Sequence, residues 1–303
     1  KAYNETEEMF YAKFNGYEIV PLEWYRDQGN LGNYGQYGYG VMVYRLNVNQ
    51  VNTTGTNTLV LNKNDPTPAV YPSTLVYMYD VPGGSFKDVE IVLGADLLSN
   101  SNNNAGRVVK SDSVVNLSGT DFDNVTLYVL AAGGQQGEGN IVVNGKVFDD
   151  VWSGSSKTTD LFKADITDVF NDSNNISFVA TGSTILALPQ ILVADTGMAL
   201  SINSIKTEYT SVPTAYAGTS NLITTTITAT KEGNVTILLL DGLKDVDVMN
   251  VTLTNGTNTI ELLDLTMRSV DETTVNGADN KNTAYAVAVL KDDYINYDYI
   301  TVP

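Results

Sequence analysis

The sequence predicts an all-β chain of tandem β-sandwiches, and three observations carry that expectation. Apolar and polar residues alternate with a period of two along most of the chain. The alternating runs are short, rich in β-branched residues and bounded by Gly, Asn or Asp, as sandwich strands are. No stretch of helical length carries an apolar stripe at helical spacing, and a single helical turn is expected at Ile166-Thr167-Asp168-Val169-Phe170.

Along the chain, Asn15-Gly16 supplies the two positive-φ residues of a tight hairpin turn, and Trp24 follows as a core anchor. A Gly/Tyr-rich stretch spans residues 29–40, then come Asn47-Val48-Asn49-Gln50-Val51, the strand Asn57-Thr58-Leu59-Val60-Leu61 and a closing strand Pro72-Ser73-Thr74-Leu75-Val76. The same order recurs. Strands at 87–93, 124–130 and 140–143 lead to Asn144-Gly145, Trp152, Asp165-Ile166-Thr167-Asp168-Val169, Asn175-Ile176-Ser177-Phe178-Val179 and Pro189-Gln190-Ile191-Leu192-Val193. The later patches match at a spacing of 117 or 118, the Asn-Gly pair at 129 and the only two tryptophans at 128. The Gly/Tyr insertion in the first copy accounts for the change. A third set of strands runs through 222–228, 235–240, 251–253, 259–262 and 284–289 at the spacing of a small sandwich.

These patterns divide the chain into a first copy at 1–80, a second at 81–200 and a third unit at 201–303. The first copy has only 14 residues before its Asn-Gly turn, where the second has about three strands' worth, so its leading strands are missing. Three arrangements are open: a small domain completed by its own residues, a copy packed onto the second as one larger body, or a strand donated by another subunit.

Composition narrows the chemistry. The 303 residues are 43% hydrophobic, enough for several cores, with no apolar run long enough for a membrane helix. With 17 Lys+Arg against 35 Asp+Glu the formal charge is −18, which disfavours nucleic acid as a partner. The chain has no Cys and no His, so it can form no Ser-His-Asp or Cys-His triad, no Cys/His zinc site and no disulfide. What remains is two-carboxylate chemistry, oxygen-ligand metals or no catalysis.

The Asp-Ile-Thr-Asp turn at 165–168 and the Asn-Ile-x-Phe-Val strand at 175–179 resemble jelly-roll sandwiches of accessory and carbohydrate-binding modules. Paired with an Asn/Thr-rich composition, such units look like the adhesin-like surface proteins of methanogenic archaea. The third unit, with its Leu-x-x-Asp-Gly segment at 238–242 and Asn255-Gly256-Thr257, resembles the Ig-like adhesion modules of archaeal and bacterial surface proteins. These resemblances imply an exported, structural or adhesive protein with tandem jelly-roll-like sandwiches followed by an Ig-like sandwich.

Candidate sites follow from residue type. Nine positions satisfy Asn-x-Ser/Thr: Asn4, Asn52, Asn116, Asn124, Asn171, Asn175, Asn234, Asn250 and Asn255. Tyr34, Tyr37 and Tyr39 on their glycines, with Trp24 and Trp152, are the candidates for contact with a sugar or a neighbouring subunit. Asp121 and Asp123, two apart in a turn, are the first choice for Ca²⁺. They come ahead of Asp149/Asp150, Asp245/Asp247 and Asp292/Asp293 with Asp298, and no cofactor is required. Lys206 with Asn296 or Asp298 is the candidate pair for an intramolecular isopeptide, with Glu208 or Glu261 as the acid. The expected function is an extracellular structural subunit that self-associates through its N-terminal strand region. A monomeric glycan-binding adhesin is the alternative, and a two-carboxylate glycosidase comes third.

Overall fold

The computed structural model describes residues 10–27, 40–63, 70–71, 73–79, 81, 84–101, 108–117, 122–155, 158–182, 184–207, 221–241, 244–264, 283–291 and 294–302. Among the described residues the chain is all-β apart from two single 3-10 turns at Val48–Gln50 and Thr167–Val169. The second of these lies where the helical turn was expected. Contacts group the chain into two compact units, one of residues 1–76, 89–118 and 125–193 and one of residues 77–88, 119–124 and 194–303. Most of both repeat copies falls in the first unit, while residues 77–88, 119–124 and 194–200 belong to the second.

The first copy contributes β1 (Phe10–Phe14), β2 (Tyr17–Ile19), β3 (Pro21–Arg26), β4 (Gly40–Tyr44) and β5 (Leu59–Lys63). The second contributes β6 (Ser85–Val92), β7 (Asp96–Leu98), β8 (Lys110–Asn116), β9 (Asn124–Ala132), β10 (Gly139–Val143), β11 (Lys146–Phe148), β12 (Thr159–Asp165), β13 (Ser173–Ala180) and the start of β14 (Ile185–Thr207). Within the second copy one sheet runs β11-β10-β13-β8, and the facing one has β12, β9 and β14 as neighbours, with β7 on β14. Along the first part of β9 every second residue faces inward, so Val125, Leu127 and Val129 are buried, as are Ile141, Val143 and Ile176 of the other sheet. Trp152 joins the two layers: it stacks on Phe178 of β13 at 5.1 Å and meets Phe162 of β12 edge-on at 6.4 Å. The first copy packs against the second through Tyr25, Val41 and Tyr71, which touch the cluster Ala95, Leu97, Ala132 and Leu186. Leu97 also donates its N–H to Asp27 Oδ1 at 3.1 Å.

The two Asn-Gly turns are built alike. Asn15 and Asn144 have φ of 47° and 49°, and the glycines after them 86° and 92°, which closes the β1–β2 and β10–β11 hairpins. The Asn15 amide donates to Gln50 O and Asn57 Oδ1, both at 2.8 Å, while Asn144 donates to Val169 O at 2.7 Å and Asn174 Oδ1 at 2.9 Å. In return Asn15 Oδ1 accepts the Thr58 N–H and Asn144 Oδ1 the Asn175 N–H, each at 2.8 Å. This network corrects the spacing of 118 at the turn and at the strand that follows it. Gln50 and Val169 are 119 apart, but Asn57 and Asn174 are 117 apart, because the first copy holds two more residues between Asn52 and Asn57 than the second holds between Asn171 and Asn174.

The second unit is a sandwich of its own. It contains the later part of β14, β15 (Asn221–Ala229), β16 (Gly233–Asp241), β17 (Lys244–Leu253), β18 (Gly256–Asp264), β19 (Thr283–Lys291) and β20 (Tyr294–Val302). One layer runs β14-β15-β18 and the other β17-β16-β19-β20. Leu200, Ile223, Ile227, Ile237, Leu239 and Val287 meet in its core. A register shift between Ile202 and Ser204 sets Asn203 apart on β14.

Candidate functional site

The matching strands of the two copies differ in how they are flanked. In the second copy β13 is flanked by β10 on one side and β8 on the other, with seven residue pairs from Ser173↔Asn116 to Val179↔Lys110. In the first copy β5 pairs with β1 alone and forms the edge of the sheet β2-β1-β5 among the described strands. Among the described strands its other edge has no partner, where β13 has β8. Leu59 and Leu61 lie on the half-buried side of β5, and Val60 and Asn62 point outward.

A second feature is Ser73–Tyr79. At the 117-residue spacing its counterpart is Gln190–Thr196, which lies wholly inside β14 with Leu192 and Ala194 buried. Ser73–Tyr79 forms no strand and makes no backbone hydrogen bond with another described residue, and every residue in it is exposed. Leu75 and Val76 are each 45% accessible, Met78 63% and Tyr79 71%. The rings of Tyr77 and Tyr79 stack at 5.9 Å, as residues two apart on one side of an extended chain can. The closing strand expected at 72–76 is not formed by its described residues, 73–76.

The structure sorts the sites expected from sequence. Trp152 is 1% exposed inside the core and offers no face to a sugar or a partner, which corrects its candidacy as a contact residue. Its counterpart Trp24 is half-buried on β3, opposite Met42 of β4. Tyr34, Tyr37 and Tyr39 lie outside the described residues, as do Asn4, Asp121, Glu208, Asp292 and Asp293. The other eight sequon asparagines, Asn52, Asn116, Asn124, Asn171, Asn175, Asn234, Asn250 and Asn255, are all exposed. Two of these sequons face each other on β16 and β17: Asn234 is opposite Thr252 and Thr236 opposite Asn250. Thr236 Oγ1 donates to Asn250 Oδ1 at 2.6 Å and Thr252 Oγ1 to Asn234 Oδ1 at 2.7 Å.

The acidic residues are held by cations and turns. Asp123 accepts from Lys231 Nζ at 2.5 Å, and its N–H donates to Asp195 O at 2.8 Å. Asp195 in turn pairs with Lys87. Burial pushes the Asp195 carboxyl upward, but hydrogen bonds from Lys87, Ser85 and the Gly197 N–H outweigh it and leave the group below the usual carboxylate range. Asp112 is likewise lowered by Lys110 and Ser177. Asp150, at φ 46°, accepts the Gly137 N–H, and Asp247 Oδ2 accepts the Leu263 N–H at 2.8 Å. Among the described residues no group of three acidic side chains gathers as a metal site. Lys206 is exposed on β14, level with Thr224 of β15 and, one strand further, exposed Glu261 of β18. Asn296 and Asp298 belong to β20 in the other layer. An isopeptide needs its lysine buried beside the acceptor, and Lys206 is not.

Comparisons with known proteins come to the following. Solved structures that align include a β-glucuronidase of Ruminococcus gnavus, at 11% identity and TM-score 0.26, covering 74% of this chain and 45% of that one. A β-D-glucuronidase of Dictyoglomus thermophilum aligns at 14% identity and TM-score 0.26, covering 71% and 43%. The chain thus spans less than half the length of these structures, and at such scores the likeness carries no argument about function. No curated protein matches the sequence. The family described as "Protein of unknown function (DUF3344)" matches residues 2–195, more than half of the chain and both repeat copies, and the chain belongs to that family.

Proposed function

We propose that this chain is an extracellular structural protein of the cell surface, a subunit of a filament, sheath or surface layer of archaeal type that assembles by strand exchange or edge pairing. The observation that carries the reading is the exposed apolar segment at 73–79, beside a β5 that pairs with β1 alone among the described strands. Monomeric proteins usually cover or blunt such features. Further support comes from the sequons, whose eight described asparagines are all at the surface, as a glycosylated exported protein requires. Burial of Trp152 takes one of the two tryptophans away from the glycan-binding alternative.

Sedimentation and negative-stain microscopy of material purified from its natural source test the reading. Ordered polymers are the expected result. A chain that stays monomeric at all concentrations and binds glycans on an array would replace this reading with the adhesin one. Intact mass of the same material reports sequon occupancy.

A further inference from the structure

We infer that Asn52, in the sequon Asn52-Thr53-Thr54, is a site of N-linked glycan attachment that stays open to the transferase after the chain has folded, whereas folding closes its repeat counterpart Asn171. The inference rests on the exported reading above and deepens it. Both asparagines stand in the loop between the 3-10 turn and the next strand, β5 in the first copy and β13 in the second. Each is clamped by a second asparagine. The Asn52 N–H donates to Asn57 Oδ1 at 2.8 Å and the Asn171 N–H to Asn174 Oδ1 at 2.9 Å, and the Asn57 and Asn174 amides donate back to the carbonyls of Asn52 and Asn171.

The side chains then part. Asn171 donates Nδ2 to Val169 O at 3.1 Å, so the nitrogen that would receive the sugar is held in the turn, and Ser173 already begins β13, opposite Asn116. The two extra residues of the first loop change this. Thr54 stays in the loop, where Asn52 Oδ1 accepts its N–H at 3.1 Å and its hydroxyl at 3.4 Å. The sequon hydroxyl thus lies on its own carboxamide, and residues 52–56 are all exposed. In the reaction Nδ2 attacks C1 of an oligosaccharide carried on a polyprenyl phosphate or diphosphate. The C1–N bond forms as the C1–O bond to phosphate breaks, the lipid phosphate leaves with the electron pair, and one Nδ2 proton passes to a base of the transferase. The transferase has to take hold of carboxamide and hydroxyl together, and at Asn52 they are already side by side.

Strand pairing closes other sequons. On β16 and β17 the Thr236 hydroxyl serves Asn250 and the Thr252 hydroxyl serves Asn234, each across to the opposite sequon, while Thr236 is paired on both sides, with Asn250 and with Leu290. In the sequon of Asn175, Ser177 is buried and donates to Asp112 Oδ1 at 2.5 Å. These positions need their sugars before the strands form.

The test uses full-length chain made in a host without N-glycosylation, folded, and incubated with an oligosaccharyltransferase and its lipid-linked oligosaccharide. Glycopeptide mass spectrometry reads each site. The chain carries Asp172→Thr and Ser173→Thr, both at exposed positions, so that the two sequons are identical in sequence. Asn52 should be modified about tenfold or more faster than Asn171, Asn175, Asn234 and Asn250, since each of those must first break folded-state hydrogen bonds. Peptides cut from the same chain should lose the difference between Asn52 and Asn171, because the closure lies in the fold. Deleting Gly55 and Thr56 gives the first loop the length of the second and should bring Asn52 down to the rate of Asn171, with circular dichroism reporting that the strands remain. Inserting Gly-Thr after residue 173 lengthens the second loop and should raise Asn171. Equal rates at Asn52 and Asn171 in the folded chain, a difference that persists in the peptides, rates indifferent to both loop changes, or no modification of Asn52 overturns the proposal. Native material with glycans at other sequons and Asn52 bare refutes this site and leaves the exported reading standing, whereas a chain found inside the cells of its natural source refutes the reading on which the site rests, whatever the rates.

Discussion

Asn144 donates its side-chain amide to Asn174 Oδ1 at 2.9 Å, and Asn15 makes the same bond to Asn57 at 2.8 Å in the first copy. Asn174 is fully buried and also accepts the Asn171 N–H at 2.9 Å. Asn174→Ala strands both donors, so it should destabilise the first unit by roughly 1–3 kcal/mol. Asn57→Ala should have the smaller effect, because Asn57 is only half-buried and water can replace it. Urea denaturation of the two variants, compared with the parent chain, provides the check.

Trp152 fills the second copy's core between Phe178 and Phe162, with its indole N–H unpaired there. Trp152→Ala should cost about 3–5 kcal/mol, and Trp152→Phe clearly less. Trp24→Ala, at a half-buried site, should cost less than Trp152→Ala. Acrylamide quenching should reach the fluorescence of Trp24 and spare that of Trp152, which single-tryptophan variants resolve.

Asp195 is held below its ordinary pKa of 3.8 by Lys87, Ser85 and the Gly197 N–H against the upward push of burial. A depressed carboxyl contributes stability that is complete above its unfolded value and is lost as pH falls through the folded one. The chain should therefore lose stability progressively below about pH 4. Asp195→Asn should flatten that slope, as thermal melts between pH 5 and 2.5 would show. A slope unchanged by the substitution would assign the acid sensitivity to other groups.

Gly197 has a φ of 68°, and a Cβ added there would lie 1.8 Å from Asp123 Oδ2. Gly197→Ala should thus destabilise the second unit by more than about 1 kcal/mol through strain and collision. Asp123→Ala in the same chain should recover part of that loss by removing the collision while leaving the strained φ. A double-mutant cycle measures the recovered part.

Much of this was legible in residue order alone. Period-two alternation placed the strands because the two faces of a strand differ in environment wherever a sheet is packed on one side. Asn-Gly marked both hairpins because few other pairs accept two positive φ values in succession. The repeat could be seen because the same local devices recur in the same order around both tryptophans. The match of Asn57 to Asn175 was one residue off, since identical residue types in a run of asparagines cannot say which amide caps the hairpin. Only the bonds from Asn15 and Asn144 select Asn57 and Asn174.

Tertiary structure decided the rest. Trp24 and Trp152 occupy matching places in the repeat, yet one is half-buried and the other enclosed. Leu75-Val76 and Leu192-Val193 read alike as strand, yet only the latter lies in a sheet among the described residues. Asp123, read as a metal ligand, is neutralised by Lys231 from 108 residues away. In each case the local sequence determines what a segment is able to form, through backbone preference and side-chain period. Whether it does so depends on partners brought from far along the chain: β13 has β8 beside it, and among the described strands β5 has only β1.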